Sequence, residues 1–329
     1  MSRSSSSQQG QMRVVMQAIR RHKRFTVSSH INPEGDALGS ALALASLLKR
    51  LGKQAVVATD GGIPKAFAFF PRVVPVISRV PAKLPEVAMT VDVPLLARTG
   101  AMSRLIEEAP LSVNIDHHVS NQLFCKINWV DPKAAAVGEM IYRLYEAFRV
   151  KPSREEALCM YVSIVTDTGS FRYMSTTPEV HRIASELIAC GLSPLKVAQD
   201  LYECHSASDL RFLGRVLASM KSTPDGKISW VEVPYRLMKS GRPGPEIVDE
   251  LVNYPRSVRT AEVSFVLRQQ SLDGKIRVSF RSKGRVDVNR IAKSFGGGGH
   301  MAASGCTVEG TLAQAREKVL KVARQAVKG

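Results

Sequence analysis

Residues Asn114-Ile115-Asp116-His117-His118 end an apolar run, 111–115, with three consecutive titratable side chains. We interpret the run as a β-strand, so that its tip carries one carboxylate and two imidazoles. Neutral imidazole is the commonest nitrogen ligand of metals in proteins, and carboxylate is its natural hard partner. A histidine pair at a strand end is nevertheless more often a surface feature than a ligand. The prediction of a metal site therefore depends on matching ligands from other segments.

Other apolar runs before this stretch also end in ligand-type residues. The run 25–29 leads into the loop His30-Ile31-Asn32-Pro33-Glu34-Gly35-Asp36, and the run 87–91 ends at Asp92. Helical patterns separate the runs, at 36–51 and 95–109. Strands that alternate with helices predict a parallel, Rossmann-like α/β sheet. In such a sheet, ligands bind beyond the carboxyl ends of the strands, which is where these residues lie.

The chain changes character twice more. After residue 133 the pattern is mainly helical, and after the turn Thr223-Pro224-Asp225-Gly226 a hairpin signal at Ser271-Leu272-Asp273-Gly274 indicates a smaller α+β domain. Helices are predicted at 134–148, 154–165, 178–190, 193–204, 207–220, 286–295 and 311–327, and strands at 228–233, 261–268 and 275–281. We predict a disordered tail (1–11), a catalytic α/β domain (12–205), a helical linker (206–224) and an α+β accessory domain (225–329).

The charge balance favours anionic partners. Lys and Arg number 46 and Asp and Glu 29 in 329 residues, a net charge of +17. This indicates nucleotides, nucleic acid or polyphosphate, although a solvated basic surface gives the same composition. The five cysteines are scattered without a Cys-x-x-Cys pair, which favours a reducing cytoplasm. No run approaches the roughly 18 apolar residues of a membrane helix, and residues 1–10 are not typical of a secretory signal.

The ligand-type residues at the strand and helix ends form a set larger than one metal ion needs. Carboxylates packed together raise one another's pKa, and two divalent cations would remove this conflict. Two ions also lower the pKa of a bound water and hold a phosphoryl group. Carboxylates with a minority of imidazoles favour Mn²⁺, with Mg²⁺ as the alternative. Taken singly, each residue has a simpler interpretation, such as a helix N-cap at Asp36. The set comprises His30, Glu34, Asp36, Asp92, Asp116, His117, His118 and Asp167.

Six segments carry a family resemblance. They are His30-x-Asn-Pro-Glu-Gly-Asp36-Ala-Leu-Gly-Ser40, Val91-Asp92, Asn114-Ile-Asp-His-His118, Val130-Asp-Pro-Lys-Ala-Ala-Ala136, Thr166-Asp-Thr-Gly-Ser-Phe-Arg-Tyr173 and Gly296-Gly-Gly-Gly-His300. On these segments the chain resembles the DHH phosphoesterases, in the branch that joins the catalytic domain to a Gly-rich accessory domain. The resemblance spans from about residue 12 to the C-terminus.

The resemblance implies a role for each residue of the set. His30, Glu34 and Asp92 would hold the first metal ion. The second would be held by Asp36, His117 and Asp167, together with Asp92 as the bridging carboxylate. The family usually has Asp at the position of Glu34, so the longer Glu side chain is a departure from the family pattern at the first site. Asp116 would orient an imidazole, and His118 would contact the scissile phosphate or protonate the leaving oxygen.

In the accessory domain the resemblance implies substrate contacts. Arg281, Ser282, Gly298, Gly299 and His300 would hold the far end of the substrate. Glycines let backbone N–H groups approach an anion, and arginine pairs with phosphate in a bidentate manner. A flexible linker is the alternative interpretation of the four glycines. Arg98 and Arg172 are further candidates for phosphate contacts, although most arginines in so basic a chain are only solvated.

The implied activity is Mn²⁺-dependent hydrolysis of short oligoribonucleotides to mononucleotides and of 3′-phosphoadenosine 5′-phosphate to AMP. Four alternatives stay open: a hydrolase of linear or cyclic di-adenosine phosphates, a single-strand exonuclease, a manganese pyrophosphatase, and a nucleotide-binding protein whose metal site Glu34 has impaired. The Gly-rich motif argues against the pyrophosphatase, and the length leaves no room for the added OB-fold of the exonucleases. A homodimer is an open option for the assembly.

Overall fold

The computed structural model describes residues 8–299 and 301–328. It divides into two compact units, Met1–Glu203 and Cys204–Gly329. The predicted tail, 1–11, lies mostly outside the described residues, and the first helix begins at Gln8. Among the helices of the described part of the chain, none has the length and hydropathy that crossing a bilayer requires.

The first unit contains a six-stranded sheet in which every pairing is parallel. Its strands are β1 (Arg24–Ser28), β2 (Gln54–Ala58), β3 (Val76–Ile77), β4 (Val87–Val91), β5 (Leu111–Asp116) and β6 (Ile127–Val130). Its α-helices are α1 (Gln8–Arg21), α2 (Gly35–Arg50), α3 (Ser103–Glu108), α4 (Val137–Phe148), α5 (Arg154–Asp167), α6 (Pro178–Ala189) and α7 (Pro194–Tyr202). All five residues of β4 are buried, as expected for a strand inside a parallel sheet.

The strand order, β3-β2-β1-β4-β5-β6, decides where a ligand can bind. The chain runs from β1 to β2 on one side, and β4 then pairs with the other side of β1. In open parallel sheets, the crevice at such a switch point receives the ligand. His30 follows β1 and Asp92 follows β4, so the two residues lie at the ends of adjacent strands.

Helices α2 and α5 pack closely, and glycine permits the contact. A Cβ atom at Gly39 would overlap the carbonyl oxygen of Cys159, and one at Gly35 would overlap the side chain of Thr166. The close approach brings the first turn of α2 beside the last turns of α5. Asp36 and Asp167 lie on these turns.

The helix predicted over 95–109 is interrupted. Residues Leu96–Met102 form a 3₁₀ segment before α3, and Gly100 inside it has φ 58° and ψ −131°. A side chain at Gly100 would overlap Ile31 and Asp60. The positive φ that glycine allows therefore breaks the continuous helix that the apolar pattern predicts.

The second unit contains a mixed sheet with the order β11-β12-β10-β9-β8-β7. Its strands are β7 (Lys221–Ser222), β8 (Ile228–Val233), β9 (Val263–Gln269), β10 (Lys275–Ser282), β11 (Gly298–Gly299) and β12 (Ala303–Glu309). Its helices are α8 (Ala207–Leu217), α9 (Tyr235–Gly241), α10 (Pro245–Glu250), α11 (Asn253–Arg256), α12 (Val288–Lys293) and α13 (Leu312–Lys328). Strands β8 and β9 pair in parallel, and the other pairs are antiparallel. The parallel α/β domain followed by a mixed-sheet domain confirms the predicted fold class.

Candidate metal centre

The ligand-type residues at the carboxyl edge of the first sheet come together in three overlapping groups. Asp92 belongs to two groups, and His117 also belongs to two. Within each group the possible ligand atoms lie within 4.8 Å of one another. The groups are His30–Glu34–Asp92, Asp36–His117–Asp167 and Asp92–His117–His118.

His30 presents one ring nitrogen to the first group. Its Nδ1 lies 2.8 Å from the carbonyl oxygen of Ile31, which can only accept a hydrogen bond, so Nδ1 carries a proton. Its Nε2 lies 2.8 Å from Oε1 of Glu34 and 3.6 Å from Oδ2 of Asp92. The longer side chain of Glu34 therefore reaches the same nitrogen that a metal ion would use. A backbone acceptor on the opposite nitrogen is typical of metal-binding histidines.

His117 is held in the same way in the second group. Its Nδ1 donates to the carbonyl oxygen of Ala134 at 3.2 Å. Its Nε2 lies 3.2 Å from Oδ2 of Asp167, 3.5 Å from Oδ1 of Asp92 and 3.8 Å from Oδ2 of Asp36. Three carboxylates therefore surround one imidazole nitrogen.

Asp92 has two unusual properties. Its φ is 60°, a left-handed conformation that Asp and Asn tolerate better than most residues. Its Oδ1 atom is buried and makes no hydrogen bond within the described residues. A buried carboxylate oxygen without a donor is costly unless a cation compensates it. The donor set and this oxygen fit divalent metal ions.

Asp36 is fully buried, and four donors fix its carboxylate. Oδ1 accepts from the hydroxyls of Ser40 at 2.8 Å and Ser163 at 2.5 Å, and from the Gly138 N–H at 3.2 Å. Oδ2 accepts from the Val137 N–H at 2.8 Å. No sequence motif indicated the roles of Ser163, Val137 and Gly138. Only the position of Ser163, one helical turn before Asp167 on α5, offered a signal.

Asp116 and His118 form a hydrogen-bonded pair, and His118 is also a member of the group Asp92–His117–His118. Asp116 is fully buried, and its Oδ1 lies 2.8 Å from Nδ1 of His118. Its other oxygen accepts from Nδ2 of Asn121 at 2.5 Å, and this amide also donates to the Val93 carbonyl at 3.2 Å. Asn121, which the motifs did not single out, thus fixes the carboxylate that orients the His118 ring.

Without metal ions, two imidazoles and one carboxyl group of the centre have raised pKa values. Burial lowers the pKa of His30 and His117, but hydrogen bonds and charges from the neighbouring carboxylates outweigh it and raise these pKa values to about 10 and about 11. Burial and the charge of Asp36 raise the pKa of Asp167 to about 9. Burial raises the pKa of Asp92, but the imidazoles of His117 and His30 outweigh it and hold this pKa well below its usual range.

Metal binding at neutral pH is therefore expected to release protons. His30 and His117 are protonated in the metal-free protein because their pKa values lie above 7, and a metal ion requires neutral imidazole. The affinity for Mn²⁺ should rise as the pH rises through neutrality, because protons then compete less with the metal ion for the imidazole nitrogens. Calorimetric titration with Mn²⁺ at pH 7 in buffers of different ionisation enthalpy measures the release. A heat of binding that is the same in all buffers would contradict this expectation.

Replacing Ser163 by Ala should weaken metal binding without unfolding the protein. The change removes a hydroxyl donor from Asp36, and loss of such a supporting hydrogen bond costs about 10–100-fold in metal affinity. Ser46→Ala is the matched control, because this buried hydroxyl also donates to a carboxylate, that of Glu156 at 2.7 Å. Mn²⁺ titration should separate the two variants. Equal affinities would show that the Ser163 hydrogen bond does not support the site.

The residues predicted to contact substrate lie in both units. In the first unit, Arg98 is exposed and its carbonyl accepts from the Ile31 N–H at 2.8 Å, while Nε of Arg172 donates to the Gly169 carbonyl at 2.6 Å. In the second unit, Arg281 and the buried Ser282 end β10. The glycines predicted as a phosphate loop, Gly298 and Gly299, form the short strand β11 and pair with Gly305 and Ser304. His300 lies outside the described residues.

Comparison with known proteins gives consistent matches to both units. Residues 24–164 match the DHH family, N-terminal domain, and residues 238–329 match the DHHA1 domain. The chain is 34% identical over 303 residues to the bifunctional oligoribonuclease and PAP phosphatase NrnA of Thermus thermophilus. This match covers 91% of this chain and 89% of that protein. It is 27% identical to the Bacillus subtilis protein of the same name, over 89% of this chain and 92% of that protein.

Among solved structures, an exopolyphosphatase-related protein from Bacteroides fragilis has the same fold. The two chains superpose with a TM-score of 0.87 at 27% sequence identity. The match covers 100% of this chain and 98% of the other. The similarity therefore extends through both units.

Proposed function

Since this chain belongs to the DHH family and carries a DHHA1 domain after its DHH domain, we propose that it degrades short oligoribonucleotides to mononucleotides and converts 3′-phosphoadenosine 5′-phosphate to AMP. The Thermus thermophilus relative, named for both activities, supports this proposal across nine-tenths of the chain. The five scattered cysteines fit a reducing compartment, and we place the enzyme in the cytoplasm.

The observation that carries the proposal is the set of three ligand groups that are linked through Asp92 and His117. His30, Glu34 and Asp92 would hold one divalent ion, and a second would be held by Asp36, Asp92, His117 and Asp167. Two divalent ions supply a water of lowered pKa and neutralise charge on a phosphoryl group. Imidazole nitrogens among the oxygen ligands favour Mn²⁺ over Mg²⁺.

The side chains around the ions complete the mechanism. Asp116 accepts the Nδ1 proton of His118, so Nε2 of this ring is the nitrogen that exchanges a proton with substrate. We assign His118 the protonation of the leaving oxygen, which becomes the 3′-hydroxyl or 5′-hydroxyl of the product. Ser40 and Ser163 keep the Asp36 carboxylate in one orientation.

Substrate binding is assigned to the basic and glycine-rich residues. On β10, Arg281 pairs with substrate phosphate, and the hydroxyl of Ser282 donates a hydrogen bond to the substrate. Strand β12 separates β10 from β11, so Gly298 and Gly299 lie two strands away from these residues. Their small size would let the substrate approach the backbone. His300, Arg98 and Arg172 are proposed as further phosphate contacts.

The test is product analysis with three labelled substrates: a dinucleotide, a 10-mer and 3′-phosphoadenosine 5′-phosphate. Each is incubated with Mn²⁺, with Mg²⁺ or with EDTA. We expect mononucleotides from the dinucleotide and AMP from the bisphosphate with Mn²⁺, slower turnover with Mg²⁺, and none with EDTA. We also expect slower hydrolysis of the 10-mer than of the dinucleotide. Turnover in EDTA would refute the two-metal mechanism, and inactivity on all three substrates with Mn²⁺ would refute the assigned substrate class.

A further inference from the structure

The two faces of the second sheet differ in what covers them. On one face, Ile276, Val278 and Phe280 of β10 are buried in a core that also includes residues of α12 and α13. On the other face, residues of α8 and α10 cover β8 and β9, with Val231 and Val266 buried among them. That covering core includes no residue of β10 or β12. The second face is apolar and buried where α8 and α10 cover it, and it is accessible at Arg277 and Thr307, which are both exposed.

The accessible side presents a row of basic and small side chains. Because residues alternate between faces along a strand, Arg277, Ser279 and Arg281 point to the same face of β10. Arg277 is exposed, and the other two are half-buried. Opposite them on β12 lie Thr307, Gly305 and Ala303, in that order. The floor beside the arginines is thus built from side chains too small to obstruct an extended chain.

The charge of Arg277 is available to a ligand. Within the described residues its guanidinium makes no ion pair, and its cross-strand neighbours are Thr307 and Arg268 rather than carboxylates. Lys275, by contrast, lies opposite Glu309. Arginine and a neighbouring hydroxyl are groups that contact the phosphates of nucleic acids.

We infer that Arg277 and the accessible face of β10 and β12 form an additional phosphate subsite for single-stranded oligoribonucleotide, continuing from Arg281. This inference rests on the proposed function. Arg281 lies four positions after Arg277 on β10, so the Cα atoms of the two arginines are about 13 Å apart. A substrate must therefore carry more than one phosphate to contact both arginines. The subsite would serve oligonucleotides longer than a dinucleotide.

Binding of labelled oligoadenylates to the full-length chain tests the subsite. The parent protein for these measurements carries Asp92→Asn, which prevents hydrolysis. The two ligands are a dinucleotide, which has one phosphate, and a pentanucleotide. Adding Arg277→Gln should weaken pentanucleotide binding about fivefold and reduce the slope of log affinity against log salt by about 0.7, while dinucleotide binding stays unchanged. The matched control is Arg324→Gln, because Arg324 is exposed on α13, which packs against the opposite face of the sheet.

The outcomes separate the two proposals. A selective loss of pentanucleotide affinity in Arg277→Gln, with Arg324→Gln unchanged, supports the subsite. Unchanged pentanucleotide affinity overturns it, and so does an equal loss in the two arginine variants, which would indicate a general effect of net charge. An equal loss for the dinucleotide also overturns it. Failure of the parent to bind the pentanucleotide overturns the subsite, whereas inactivity of the unaltered chain on all three labelled substrates with Mn²⁺ overturns the proposed function itself.

Discussion

Asp92→Asn should abolish turnover and leave the fold intact. Asp92 is the residue that the His30 group and the His118 group have in common, and its buried Oδ1 has no hydrogen-bond donor in the described part of the chain. Asparagine has nearly the same volume and also tolerates φ of 60°, whereas alanine would add backbone strain. The amide, however, lacks the charge that two cations require.

The expected loss is large because it affects metal assembly and transition-state stabilisation together. Metal ions contribute several kcal/mol to such stabilisation, which corresponds to about 10³-fold in kcat. The measurements are kcat on a dinucleotide at saturating Mn²⁺, and the number of Mn²⁺ ions bound per chain by calorimetry. Asp225→Asn, in an exposed turn of the second unit, is the control. Normal turnover of the Asp92→Asn protein would refute the two-metal mechanism. A changed Tm would indicate that the substitution affects folding instead.

His118→Gln should also produce a large loss of turnover, and the loss should depend on the leaving group. If His118 protonates the leaving oxygen, its removal costs about 10²–10⁴-fold on a ribonucleotide ester, whose leaving alkoxide needs a proton. A nitrophenyl phosphodiester releases a stable anion, so the same variant should hydrolyse it nearly as fast as the parent protein does.

The comparison of the two substrates makes this test specific. A structural role for His118, or a role in metal binding, would slow both substrates equally. His22→Gln is the matched control, because the His22 ring also hydrogen-bonds through Nδ1, to the Ala18 carbonyl at 2.9 Å, but precedes β1 at the opposite end of that strand. Asp116→Asn should show the same leaving-group dependence as His118→Gln with a smaller magnitude, since it misorients the ring rather than removing it.

Much of the catalytic unit was predictable from local pattern. Strand β4 has the bounds that the apolar run 87–91 indicates, and the matches to the DHH and DHHA1 domains confirm the family resemblance drawn from the six motifs. Buried strands of a parallel sheet are continuous apolar runs, and this signal is local. Strand β6 and the helices between residues 235 and 256 were not predicted, because they are short and carry no clear periodicity.

The sequence by itself determined which residue types stand at the strand ends, and therefore the family, the fold class and the set of possible metal ligands. Only the tertiary structure decided how they are held. The four donors to Asp36 come from three separate elements, since Ser40 lies on α2, Gly138 on α4 and Ser163 on α5. Local sequence also does not predict the left-handed backbone at Asp92, or that the row from Arg277 to Arg281 lies on an accessible face. Residue type is a property of one position, whereas a hydrogen bond or an open face depends on segments that only folding brings together.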